Sequence, residues 1–132
     1  MQLTLEQFLK ELISLMKQDY PQHLRRMIAE TNGLVWLQTL DTEKTLIHVT
    51  VDDVVIGGET TPKRIDVRVS LSRKCLFDLL EGRSSLDKAF QAKEIEAFGK
   101  PATLLKCYRI FEQILLLSRL SPRFYFLTYR LR

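Results

Sequence analysis

The feature that most constrains this chain is its hydrophobic period, which changes twice within 132 residues. Between residues 4 and 30 apolar side chains recur every three or four positions. Leu5, Phe8, Leu9, Leu12, Leu15 and Met16 share one face of a helix over 4–18, and Thr4 and Gln7 have capping-box spacing at its start. Pro21 suits the first turn of a second helix that turns Leu24 and Ile28 inward, and Asn32-Gly33 supplies a left-handed stop. From residue 34 the period falls to two. Strands are predicted over 34–40 around Trp36, over 45–56 with Ile47, Val49, Val51 and Val55 on one face, and over 65–71 with Ile65, Val67, Val69 and Leu71 inward. They read as an antiparallel meander with one wet face, joined by a turn at Asp41-Thr42-Glu43-Lys44 and a loop from Gly57-Gly58 to residue 62.

The helical period then returns. Ser72 caps a short helix through Leu80 that Gly82 ends, and Ser84 or Ser85 starts another carrying Leu86, Ala89 and Phe90. Residues 94–98 form a short strand broken by Gly99, and Pro101 opens a long helix to about Ser118. Residues 124–131 alternate and have strong β-propensity, so they are expected to be a last strand. Helices and strands are segregated, so the class is α+β, with a mainly antiparallel sheet of five to six strands.

One domain over 1–132 accounts for this length, with a helical N-terminus at 1–33 and a distinct tail at 122–132. Hydrophobic residues at 45% and charged ones at 27% exclude a disordered, collagen-like or membrane-embedded chain. The longest plain aliphatic run, Ile114-Leu115-Leu116-Leu117, is far short of the roughly 20 residues a bilayer span needs. The net charge of +4 is local: residues 1–118 hold 16 acidic and 16 basic side chains, and the excess is Arg119, Arg123, Arg130 and Arg132. Cys75 and Cys107 read as small buried apolar residues of a reducing compartment, with a disulfide as the alternative. The first residues lack the basic start and apolar stretch of a signal peptide, so a cytoplasmic protein is expected.

Catalytic signatures are missing. His23 and His48 lack a metal-ligand spacing partner, Ser70, Ser72, Ser84 and Ser85 lack a glycine-flanked elbow, and Gly57-Gly58 is an isolated turn pair, not a phosphate loop. Asp52 and Asp53 are strand neighbours pointing to opposite faces, hence no carboxylate dyad; Asp53 reads as a strand end or bulge, or as a buried general base. No catalytic residue, cofactor or metal site is expected.

Residues 65–111 carry a resemblance. The strand Ile65-Asp66-Val67-Arg68-Val69-Ser70-Leu71 leads to a helix ending Leu79-Leu80-Glu81-Gly82, then Ala89-Phe90, the short strand Lys93-Glu94-Ile95 ending at Gly99, and a long amphipathic helix. In this order and spacing the chain resembles the sterol carrier protein type-2 family of lipid-binding domains. It departs from that pattern at Ala92, at Lys100-Pro101 and in the tail after 119. The resemblance implies a sheet with helices packed on one face, enclosing an apolar tunnel for a fatty acid, sterol or isoprenoid-like ligand. It implies no chemistry on that ligand. Val67, Val69, Leu76, Leu79, Leu80, Phe90, Ile95, Leu104, Tyr108 and Phe111 are the expected walls, Tyr108 the one with a polar handle. Taken singly, each of them reads first as plain core packing, which is what most apolar residues do.

The tail mixes Phe124, Tyr125, Phe126 and Tyr129 with the four arginines. Its readings are a final structural strand, a membrane-docking edge that meets anionic head groups, and a single-stranded nucleic-acid site, which the neutral body disfavours. From a different class, the fold could keep a closed core and use the tail on a protein, membrane or nucleic-acid partner.

Overall fold

In the computed structural model, which describes residues 2–58 and 64–131, helix ends are set by short polar side chains. At the start of α1 (Leu5–Asp19) the Gln7 amide donates to the Thr4 hydroxyl at 3.2 Å and the Thr4 amide donates to the Gln7 carboxamide at 3.0 Å, closing the predicted capping box. Pro21 opens α2 (Pro21–Glu30). Ser72 and Ser85 cap α3 (Arg73–Leu80) and α4 (Leu86–Gln91) by accepting from the Cys75 and Lys88 amides. Gly33 and Gly82 end their helices at φ +82° and +77°, a conformation that costs a side-chain-bearing residue.

The strands are β1 (Val35–Leu40), β2 (Glu43–Val49), β3 (Val54–Ile56), β4 (Val67–Leu71) and β5 (Ile95–Gly99), in the order β3-β2-β1-β4-β5. Every neighbouring pair is antiparallel except β1 and β4, which run parallel with Trp36 opposite Val67. Two expectations are corrected here. The span 45–56 is two strands, because the Thr50 amide donates to the Asp53 carbonyl at 2.8 Å and the Thr50 hydroxyl accepts from the Asp53 amide at 3.1 Å. This turn throws Val51 into solvent, 79% exposed, and reverses the parity, so Val54 and Ile56 point inward and Val55 outward. The strand at 67–71 does not close a meander either. β2 and β3 fill one side of β1, so the returning chain lies on the other side, parallel to β1. The predicted loop from Gly57-Gly58 to residue 62 falls partly on 59–63, outside the described residues.

The helices cover one sheet face. Trp36, Gln38 and Leu40 of β1 and Val67, Val69 and Leu71 of β4 are buried beneath them, while Val55 and Phe98 stand exposed on the other face. Asp66 ties the centre of the sheet: its carboxylate accepts from the Val35 amide at 2.8 Å and pairs with Arg64 at 3.0 Å. Gly99 lies opposite Val67, where an added Cβ would meet the Asp66 carbonyl at 2.8 Å, so only glycine lets β5 approach β4 this closely.

The tail is a helix, not a strand. Ser121 accepts from the Phe124 amide at 3.2 Å, Pro122 occupies the first turn, and α6 (Pro122–Tyr129) follows α5 (Pro101–Leu120). Phe124, Leu127, Thr128 and Leu131 are buried, a spacing of three and four that fits a helix and no strand. α6 packs on α1 and α5, and the Leu3 amide donates to the Arg130 carbonyl at 2.6 Å, tying the two ends of the chain together. The sheet therefore has five strands among the described residues. No helix among them is long and apolar enough to cross a membrane.

Candidate functional site

Where α4 and α5 lie over the β4–β5 side of the sheet they leave a groove of about 430 Å³. Its floor is Trp36, Val69, Ile95 and Ala97; α4 supplies Leu86, Asp87 and Phe90. One stripe of α5 closes the other side, with Pro101, Leu104, Leu105, Tyr108 and Phe111 at helical spacing and Cys107 beside them. The volume falls in the range of ordinary small-molecule sites, roughly 300–1,000 Å³. Phe90 and Leu105 remain 37% and 51% exposed at its mouth, and the Phe90 and Tyr108 rings sit 6.1 Å apart.

A second space, a cavity of about 140 Å³, lies deeper among α1, α2, α3, α5, α6 and the sheet, bounded by side chains such as Phe8, Met16, Leu24, Ile47, Leu80 and Phe124. Trp36 and Phe111 line both spaces and form the partition between them. The Trp36 indole is held in place by donating to the Gln38 side-chain oxygen at 3.0 Å.

Of the ten expected wall residues, Val69, Phe90, Ile95, Leu104, Tyr108 and Phe111 come together on the groove. Leu76 and Leu80 face the inner cavity instead. Val67 and Leu79 border neither space: at 1% and 0% exposure they are closed core, Val67 because β5 crosses it at Gly99 and Leu79 because it packs on the inward side of α3. The sequence reading missed Trp36, Leu86, Asp87, Ala97, Pro101, Leu105 and Cys107. Pro101 and Leu105 were visible as members of the α5 stripe. Trp36 was not, because its place beside β4 depends on the parallel crossover.

Among the described residues, only Asp87 and Tyr108 bring side-chain oxygen to the groove lining. The Tyr108 hydroxyl donates to the Asp87 carboxylate at 2.8 Å, and this bond, with burial and the charges of Asp87 and Glu112, pushes the phenol up to about 12. Cys75 and Cys107 are free and buried.

Among the described residues, no reactive set assembles around these spaces. His23 and His48 are exposed on separate elements, the Ser72 and Ser85 hydroxyls are occupied as helix caps, and the described residues contain no group of three or more metal-ligating side chains. Asp53 is no buried base. It pairs with Lys17 at 2.9 Å and accepts from the Val54 amide, and these bonds hold its carboxyl below the usual carboxylate range. Of the four tail arginines, Arg123 pairs with Asp19 at 2.8 Å and Arg130 with Glu11 at 2.7 Å, Arg119 is exposed, and Arg132 lies outside the described residues. Beside them Leu120 and Phe126 are 66% and 67% exposed, and Tyr125 and Tyr129 are partly so.

No protein-family model and no curated protein matches the chain by sequence. Solved structures match its backbone. One described as "UbiJ-SCP2 Ubiquinone synthesis protein" superposes over 86% of this chain and 92% of its own at 17% identity, with a TM-score of 0.59. Sterol carrier protein domain 2 of Helicoverpa armigera matches over 86% and 93% at 18% identity, with a TM-score of 0.55. Palmitated SCP2L2 from Aedes aegypti matches over 82% and 94% at 15% identity, with a TM-score of 0.54. The order of elements read from residues 65–111 and these superpositions agree, and the chain has the sterol carrier protein type-2 fold.

Proposed function

We propose that the chain binds a lipid or other apolar small molecule in the groove between sheet, α4 and α5, and carries it without chemical change. The observation that carries this is the lining: about 430 Å³ walled by apolar side chains, with oxygen at a single point, Asp87 and Tyr108. Each methylene moved from water into such a wall contributes about 0.8 kcal/mol, so an acyl chain, a ring system or an isoprenoid tail gains affinity by length alone. The fold is shared with a structure described as palmitated, which supports an acyl-chain ligand. Trp36 and Phe111 stand between groove and inner cavity, so a long tail reaches the second space if those two rings turn aside.

The exposed side of α6 suits delivery to an anionic lipid surface. Leu120, Tyr125 and Tyr129 line one surface hollow with the cation Arg119, and the Phe126 ring lies 6.3 Å from that of Tyr125; exposed aromatics beside a cation are the arrangement that settles at the head-group level of a bilayer.

Trp36 is the only tryptophan and borders the groove, so its emission reports occupancy. Titration with dodecanol is expected to shift that emission saturably. Leu104→Arg, at a half-buried wall position, is expected to weaken the titration about tenfold or more while leaving the melting temperature within a few degrees. Equal titration of the two proteins would contradict the groove as the site.

A further inference from the structure

Resting on the groove as the ligand site, we propose that it selects neutral amphiphiles bearing a hydroxyl donor, such as long-chain or polycyclic alcohols, over ionised fatty acids. The selection is made at the Asp87–Tyr108 pair. The Tyr108 proton is already given to one Asp87 oxygen at 2.8 Å. What remains for a ligand is the second Asp87 oxygen and a lone pair on Tyr108, both acceptors. A head group that donates a hydrogen bond satisfies them. A carboxylate has no proton to give and brings a second negative charge next to Asp87.

The local charge strengthens the bias. No lysine, arginine or histidine lines the groove, and Asp87 makes no ion pair among the described residues. Glu112, also on α5, adds negative potential at Tyr108, and the phenol stays protonated up to about 12, so it does not ionise to alter this balance near neutral pH. Asp87 is solvent-exposed at the rim, so water and salt weaken the repulsion but do not abolish it. The remaining walls are apolar and indifferent to the head group. Chain length and head-group choice are therefore separable: the walls set the first and the Asp87–Tyr108 pair sets the second.

The test compares dodecanol with dodecanoate, whose tails are equal, by Trp36 emission at about pH 8, where the acid is ionised. Dodecanol is expected to bind about tenfold more tightly, and Asp87→Asn to bring the two within about threefold by improving dodecanoate. Tyr108→Phe is expected to weaken dodecanol a few-fold, through loss of the lone pair, with little change for dodecanoate. Raising the salt concentration on the unaltered protein is expected to narrow the gap, a check that needs no variant. Dodecanoate binding as tightly as dodecanol, or a ratio unmoved by Asp87→Asn, would overturn the head-group selection while leaving the groove as a lipid site. Failure of both ligands to bind would overturn the selection and the groove reading together.

Discussion

Cys107 stands in the groove wall only 5% exposed, and burial pushes its thiol up to about 12; Cys75 is pushed up to about 11, by burial first and then by the neighbouring Glu94. Both thiols are raised above the ordinary value of 9.0, so in the unfolded chain they lose their protons first. The folded state keeps protons that the unfolded state has lost, and stability falls as pH rises from about 9 towards 12. Urea midpoints across that window are expected to drop, and Cys107→Ala to drop less steeply. Near neutral pH neither thiol should react with a maleimide until the chain is unfolded. Labelling of the native protein as fast as of the unfolded one would contradict the packing of this wall. The same low polarity that silences Cys107 makes the Asp87–Tyr108 pair conspicuous, because among the described residues these two alone bring side-chain oxygen to the groove lining.

Among the elements, α6 ties the end of the chain to α1 and α5. Phe124 is fully buried between α1 and α5, and Phe124→Ala is expected to cost about 3–5 kcal/mol in chemical denaturation. Phe126, two positions on and 67% exposed, is the contrast: Phe126→Ser is expected to leave stability within about 0.5 kcal/mol and to reduce sedimentation with anionic phospholipid vesicles. An unchanged vesicle affinity would contradict the proposal that α6 docks on lipid. α6 is also where local reading of the sequence failed. Aromatic β-propensity over 124–131 points to a strand, whereas the structure starts a helix at Ser121 and Pro122, just as a proline opens α2 and α5. The capping serines, the α1 capping box and the alternation of Val67, Val69 and Leu71 were legible because each is decided by neighbours in sequence. The Thr50–Asp53 turn and the parallel pairing of β1 with β4 were not, since the first turns on specific side-chain bonds and the second on which edge of β1 was already filled. The groove shows the same division. The α5 stripe could be read from spacing, whereas the approach of Trp36 and Asp87 to it needed the tertiary arrangement.

For the molecule as a whole, the charge separates two surfaces. Residues 1–118 are formally neutral, and their groove offers apolar walls with an acidic rim; the positive excess belongs to the last turns of α5 and to the tail. Folding spends part of that excess internally, through Arg123 on Asp19 and Arg130 on Glu11, which binds the tail to α1. The proposed ligand groove and the exposed aromatic side of α6 thus lie on different parts of the fold, with α5 running from one to the other over about 30 Å. The most direct measurement of the central claim is native mass spectrometry of freshly purified protein. A lipid carrier is expected to retain a small molecule that adds mass to the folded chain, departs on denaturation into organic solvent, and is missing from Leu104→Arg. The bare polypeptide in repeated preparations, with Trp36 emission unmoved by added dodecanol, would contradict it.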